Sequence, residues 1–374
     1  MKYIIVIILF FQSILLLRAQ DQPSFHFRSR ALFDVELSDY GTDELQDYYR
    51  LEDFQCGFHA TYRNYELVTD IGLHPNKVVV NDLIFNYHKN RNIFSLSNAY
   101  IPFSIEMLMN TSEMRFHQPA ASSMVFSDSR KVGLTYFYDA PHFYFGGGAY
   151  SNNDINKIGT AEKDNSFLLA SRAVWRKRNA DAQTLLQLGG ALSFRTKQFN
   201  TKQPVTFMRS VGVTSMFPAP LLEAKIDNMK NQMNGLLEFV CTSPRFMFQT
   251  EHFFSRTRRV GSGEAYCPYG GYVQGGFLLS GTGFKYDSMY ATPGRPVSEK
   301  AIELVARFNY TNLNDDGAAI FGGEEKDLSV GMNVYLNKYL GVKIAGSYVW
   351  VGDNCNDFYK DNLFFMQTRF QYIF

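Results

Sequence analysis

Past its first twenty residues this 374-residue chain contains no long apolar stretch. It therefore offers no segment of the roughly 20 residues that a membrane-crossing helix needs. A dominant charge is missing too. With 37 basic and 36 acidic residues, nothing draws the chain strongly toward nucleic acid or anionic lipid. Cysteine is scarce, and Cys56, Cys241, Cys267 and Cys355 form no Cys-x-x-Cys or other metal-ligand spacing. Cys267 and Cys355 lie in Gly- or Asp/Asn-rich stretches that read as loops, so a loop-to-loop disulfide and free thiols both stay open. Catalytic motifs are missing as well. None of His26, His59, His74, His88, His117, His142 and His252 sits in a Gly-x-Ser-x-Gly or His-Glu-x-x-His setting. Gly261-Ser262-Gly263 reads as a flexible turn. Gly146-Gly147-Gly148, inside an aromatic run, reads as a bulge or close packing rather than a phosphate cradle. No catalytic residue, metal site or cofactor is assigned.

What the chain has in quantity is aromatic side chains, 34 Phe and 23 Tyr, residue types that favour strands. Its start is equally distinctive. Met1-Lys2 precedes an apolar run from Tyr3 to Leu17, broken only by Gln12 and Ser13, and then Arg18-Ala19-Gln20. A short positive start, an apolar stretch and a small residue before a polar one describe a secretory signal peptide. Residues 1–19 are expected to be removed, leaving 20–374. The alternative, a retained anchor, would need a longer run. Losing Lys2 and Arg18 takes the basic residues from 37 to 35 against 36 acidic, a net charge near −1.

Beyond the leader the hydrophobic period is two. Phe364, Met366, Phe370 and Tyr372 share a face with the final Phe374, while Gln367, Arg369 and Gln371 share the other. Leu328, Val330, Met332, Val334 and Leu336 oppose Ser329, Gly331 and Asn333; Leu340, Val342, Ile344, Tyr348 and Trp350 oppose Lys343 and Ser347. Ile302, Leu304, Ala306, Phe308 and Tyr310 oppose Glu303, Arg307 and Asn309, and Phe25, Phe27, Ala31 and Phe33 oppose His26, Arg28 and Arg30. Comparable runs fall around 64–72, 78–87, 131–138, 141–150, 166–175, 184–194, 219–227, 233–241, 245–254 and 271–280. Connections alternate between very short ones, such as Asp139-Ala140-Pro141 and Thr242-Ser243-Pro244, and longer polar ones at 151–165, 195–206, 255–270, 285–300, 312–326 and 352–361.

A soluble sandwich also alternates, but a protein this large would need two dry inner faces. Here one face of each strand is greasy and the other carries Gln, Arg, Asn, Glu and Lys. Short turns at one end, long loops at the other and a water-filled polar interior are the pattern of a transmembrane antiparallel β-barrel. Hydrocarbon satisfies no open sheet edge, so the sheet must close. The expectation is an all-β, single-domain barrel of about 16 strands in a bacterial outer membrane, with Phe374 as its insertion terminus.

Several stretches resemble the phosphate-selective porin O and P family. Ser97-Asn98-Ala99-Tyr100-Ile101-Pro102-Phe103-Ser104-Ile105-Glu106, running into Met107 to Ala120, resembles the family's strand end and constriction loop. Tyr269-Gly270-Gly271-Tyr272-Val273-Gln274 through Phe277-Leu278-Leu279-Ser280-Gly281 is similar to its aromatic-Gly-Tyr strand and turn. Ile302 to Tyr310, and Gly322-Gly323 through Asn333-Val334-Tyr335-Leu336-Asn337, resemble later pieces, so the likeness runs from about residue 80 to the end. It implies a 16-stranded homotrimeric porin with an inward-folded third loop. Where anion-selecting members carry arginines, this chain has Glu52 and Asp53, and Ser97-Asn98 replaces the family's Gly-Gln.

Selectivity in a water-filled pore comes from side chains at its constriction. The inward-facing basic candidates are Arg28, Arg30, Arg172, Lys225, Arg307, Lys343 and Arg369. Several on one wall could pass an anion along by guanidinium hydrogen bonds. The plainer reading is that they pair with lumen carboxylates such as Glu223 and Glu303 and brace the wall. The constriction-loop candidates are Glu106, Glu113, Arg115 and His117. The functional expectation is a general diffusion porin or weakly anion-preferring channel, surrounded by outer-membrane lipid, with no nucleic-acid partner. The competing readings are a plugged barrel serving as a surface scaffold and a barrel hydrolase.

Overall fold

A backbone that alternates greasy and polar side chains can satisfy its amides only across neighbouring strands, and here the ladder returns to its start. The computed structural model describes residues 23–374, apart from 40–44, 75–76, 159, 161–163, 200–203, 217–218, 262, 357 and 360. The expected leader, 1–19, lies outside them. The first half supplies β1 (Ser24–Asp39), β2 (Leu45–Tyr62), β3 (Tyr65–His74), β4 (Lys77–Lys89), β5 (Asn92–Ala99), β6 (Lys131–Asp139), β7 (Phe143–Ser151), β8 (Phe167–Asn179) and β9 (Thr184–Thr196). The second supplies β10 (Val205–Ser210), β11 (Leu222–Asp227), β12 (Met229–Thr242), β13 (Phe246–Arg259), β14 (Tyr269–Ser280), β15 (Phe284–Asp287), β16 (Thr292–Pro296), β17 (Ala301–Asp315), β18 (Ile320–Tyr335), β19 (Leu340–Val351) and β20 (Leu363–Ile373). Sixteen of these form one closed antiparallel barrel, in which β9 pairs with β12, β14 with β17 and β20 with β1.

The count agrees with expectation, but its membership does not. The run 219–227 was expected in the wall; instead β11 pairs with β10 in a separate two-stranded hairpin. Its alternation is real: Leu222, Ala224 and Ile226 are fully buried, within an apolar cluster that includes Tyr266, Leu313 and Ile320. Period two reports one buried face, not which sheet it belongs to. The place is taken by β5, whose outward apolar side chains are only Phe94 and Leu96, too few to stand out.

Both termini of the barrel lie at one end, where Ser29 and Phe374 exchange backbone hydrogen bonds of 3.0 and 2.9 Å. Strand directions alternate from there, so the tight turns at 63–64, 90–91, 140–142, 180–183, 243–245 and 336–339 share that end. At two of them Arg63 and Asn90 adopt left-handed φ values of 52° and 55°, the backbone that a two-residue hairpin turn requires. The connection 281–300 falls at the same end, although 285–300 within it is expected among the long loops of the other. It carries the hairpin β15–β16.

Exposure sorts the two faces. Val330 is 54% and Phe370 50% exposed, whereas Gln367, Arg369, Ser329 and Lys343 are buried. Aromatic rings gather outside near the tight-turn end: Phe374 stacks on Tyr339 with centroids 6.1 Å apart, and Tyr65 lies 5.8 Å from Phe85. Such rims suit a headgroup layer. All four cysteines are unpaired, so no disulfide ties the loops.

A charge on the outward face should be costly in lipid. Val330→Arg, near the middle of β18, is expected to destabilise the barrel by about 2–4 kcal/mol, against a much smaller loss for Val330→Ala. Reversible urea unfolding in lipid vesicles measures both; equal losses would show that this face does not meet hydrocarbon.

Candidate functional site

The inner face is built from ion pairs that cross strand boundaries. At the seam, Arg369 on β20 donates to Asp34 on β1 through Nε (2.7 Å) and Nη2 (2.6 Å). Arg172 on β8 reaches over β9 to Glu238 on β12, Nε to Oε2 2.7 Å and Nη2 to Oε1 2.9 Å, and Gln187 between them also donates to Glu238 at 2.9 Å. Gly189 leaves room for this, since a Cβ there would lie 2.7 Å from Glu238 Oε1. Arg30 donates Nε to Asp53 at 2.8 Å, and Arg28 Nε to Asp70 at 3.0 Å. Buried charges paired in this way brace neighbouring strands, although their attraction mainly offsets lost hydration.

The stretch 100–130 between β5 and β6, with its short helices α1 (Ile105–Leu108) and α2 (Ala121–Phe126), makes hydrogen bonds to inner-face groups of strands far from its own. Glu251 on β13 accepts the Ile105 amide (2.7 Å) and the Ser104 hydroxyl (3.0 Å). Arg115 Nε donates to Glu303 on β17 at 3.1 Å, and the Arg115 carbonyl accepts from Asn333 on β18 at 3.1 Å. Lys343 on β19 donates to the Met114 carbonyl at 2.5 Å, while Arg307 on β17 donates to the Gln118 carbonyl at 2.9 Å and lies 3.7 Å from Glu106. Within the stretch, Glu106 Oε2 accepts from the Ala120 amide (2.7 Å) and the Ser123 hydroxyl (3.1 Å). Gln118 donates to Glu52 on β2 at 3.1 Å.

The connection 281–300 meets this stretch from the other end of the barrel. The Arg295 amide donates to Glu113 at 2.8 Å, and Arg115 Nη2 donates to the Gly294 carbonyl at 3.2 Å. The Ala291 carbonyl accepts from Arg172 at 2.9 Å and from Gln187 at 3.1 Å.

Six of the seven expected inner-face cations therefore sit on barrel strands: Arg28, Arg30, Arg172, Arg307, Lys343 and Arg369. Lys225 does not. It lies on β11, outside the wall, with its side chain 59% exposed and 3.4 Å from Asp227. Glu223 likewise pairs with Arg209 on the same hairpin, whereas Glu303 does hold a cation, Arg115. Of the loop candidates, Glu106, Arg115 and His117 are buried and Glu113 is partly exposed beside Arg295. Neither ring nitrogen of His117 has a hydrogen-bond partner. Burial, reinforced by the charges of Arg369, Lys343 and Arg307, holds its imidazole well below the ordinary histidine range.

A cavity of about 720 Å³ remains open between the stretch 100–130 and the inner face of β1–β4. Arg28 and Arg30 line it; Arg172, Arg307, Lys343 and Arg369 do not. Lining groups that the sequence reading passed over are Glu66, Asp82, Arg130 and Asp287. Arg130 donates Nε to Asp82 at 2.7 Å. Alternation along 78–87 could have placed Asp82 inward, but nothing in the sequence pairs it with Arg130.

A closed sixteen-stranded barrel with lipid-compatible side chains outside, charge inside and an open interior space is that of an outer-membrane porin. The chain belongs to the phosphate-selective porin O and P family, whose model matches residues 23–374, and its place is the bacterial outer membrane. No curated protein matches it in sequence. Among solved structures it is similar to OmpT, an outer membrane protein of Vibrio cholerae in its trimer form, at 11% identity and a TM-score of 0.62, covering 95% of this chain and 100% of that one. An anion-selective porin from Comamonas acidovorans gives 8% identity and a TM-score of 0.60 over 94% and 100% of the two chains. Pseudomonas putida OprB gives 10% and 0.58 over 94% of each. At such identities the likeness concerns the fold.

Two outcomes test the interior. Asp34→Asn leaves Arg369 buried and uncompensated, and should cost about 3–5 kcal/mol, most of it recovered when Arg369→Gln is added; urea unfolding of both variants decides. His117 must stay neutral in its seat. Its proton affinity is lower folded than unfolded, so its contribution is complete above about pH 6.5 and shrinks as pH falls below that value. Amide exchange across residues 105–120 should therefore quicken on acidification in the native protein, and much less in His117→Gln.

Proposed function

We propose that the protein is a passive channel for small hydrophilic solutes, narrowed by the stretch 100–130 and catalysing nothing. The observation that carries this reading is the open cavity of about 720 Å³ against an ion-paired inner face, in a chain of porin family. Arg28 and Arg30 are then the pore-lining cations, while Arg172, Arg307 and Lys343 anchor the inserted segments and Arg369 braces the seam through Asp34. Glu106, Glu113, Arg115 and His117 act by seating the constriction rather than by meeting solute. The assembly proposed is a homotrimer in outer-membrane lipid, exported with residues 1–19 removed and inserted with Phe374 as the terminal aromatic. Family membership and the trimer form of the Vibrio cholerae relative support it.

A plugged scaffold is the second reading, favoured by the two segments inserted from opposite ends. Planar-bilayer recording separates the two. The native protein should show stepwise conductance, and replacing 105–118 by a short Gly-Ser linker should raise the unit conductance about twofold by widening the narrowest section. A silent native protein whose linker variant conducts would establish the plug.

A further inference from the structure

At the tight-turn end, one arc of the inner face gathers histidines. His26 on β1, His59 on β2, Glu66 on β3 and His88 on β4 each lie close to the strand end at that mouth. The outward positions beside them hold Phe25, Phe27 and Tyr65, all exposed. Register sets His26 opposite His59, with ring centroids 6.3 Å apart. Glu66 is the hub of the group. Its Oε1 lies 2.7 Å from His59 Nε2 and its Oε2 2.8 Å from His88 Nε2, and Oε2 also accepts from Asn86 at 2.8 Å. His59 and Glu66 line the open cavity. The rings of His59 and His88 are both partly exposed, so protons from solvent reach them.

The charged groups around this arc are of other kinds. They are the pairs Arg28–Asp70 and Arg130–Asp82, and Asp287 with the Tyr290 phenol from the connection 281–300. Arg63, Lys89 and Arg91 stand exposed at the adjoining strand ends. Histidine is the side-chain type whose ordinary titration falls between pH 5 and 8. With both rings neutral, the trio of His59, Glu66 and His88 carries the single negative charge of Glu66. Protonating both rings turns that into a single positive charge, with each imidazolium set against its own carboxylate oxygen. His26 adds to the change. Low-dielectric walls focus the field in a confined mouth, so such a reversal alters which ions collect there.

Taking the channel reading as given, we propose that His59, Glu66 and His88 set the ion preference of this mouth, which favours anions more strongly as the histidines take up protons. At neutral and alkaline pH the Glu66 carboxylate holds anions back from the cavity. On acidification the same arc draws them in.

Bilayer recording under a KCl gradient, at pH 8 and again at pH 5, tests the proposal. In the native protein the Cl⁻/K⁺ permeability ratio should rise about threefold between the two at about 0.1 M salt. His59→Gln with His88→Gln should flatten that rise, and His88→Gln alone should roughly halve it if the double variant inserts poorly. Glu66→Gln should raise the ratio at pH 8 toward the native value at pH 5. Three results overturn the proposal: a native ratio that ignores pH, a rise that survives in the histidine variants, or a Glu66→Gln ratio no higher than the native one at pH 8. A surviving rise would place the proton on His117 or on a carboxylate. Absence of any conductance overturns the channel reading instead.

Discussion

Everything in this molecule follows from the demand that a peptide group in hydrocarbon find its hydrogen-bond partner within the protein. A strand in lipid has no water to fall back on, so β1 must meet β20, and the ten-residue register between them closes the ring. That seam is also where an Arg–Asp fork and the last aromatic residue sit. Closure separates two solvents, and the two-residue period of each strand then decides which side chains face which.

The interior shows what a barrel does with charge once its wall is closed. A guanidinium left alone there would be costly, and one fully shared with a carboxylate gains little net energy. What such pairs supply is position. Arg172 donates to a backbone carbonyl of 281–300, and Arg307 and Lys343 to carbonyls of 100–130, so inner-face donors of the wall hold irregular chain directionally. The open space survives along the first strands, where the inner-face groups pair mainly with one another.

The sequence made much of this legible, for a physical reason. Strands β17 to β20 each carry at least four outward apolar side chains, so their period stands clear of noise. Strand β5 carries two, so its period does not stand out and only the family resemblance, with a strand end at Ser97-Asn98-Ala99, points to it. Residues 222–227 alternate as well as any wall strand, because an amphipathic hairpin buried on one side obeys the same rule. Length alone puts 285–300 on the long-loop side, whereas its strand directions place it with the tight turns. Partners of the inner-face arginines could not be read, because they depend on register: Glu238 reaches Arg172 only across β9 and past a glycine. The resemblance to the porin family covered the same ground by motif, without supplying those pairings.

The meeting of 281–300 with 100–130 ties the two mouths of the barrel together. These segments start from opposite ends, and Glu113 and Arg115 touch Arg295 and Gly294 where they meet. Withdrawing either segment strips hydrogen-bond partners from the other, so the two keep their seats jointly, as a keystone holds both sides of an arch.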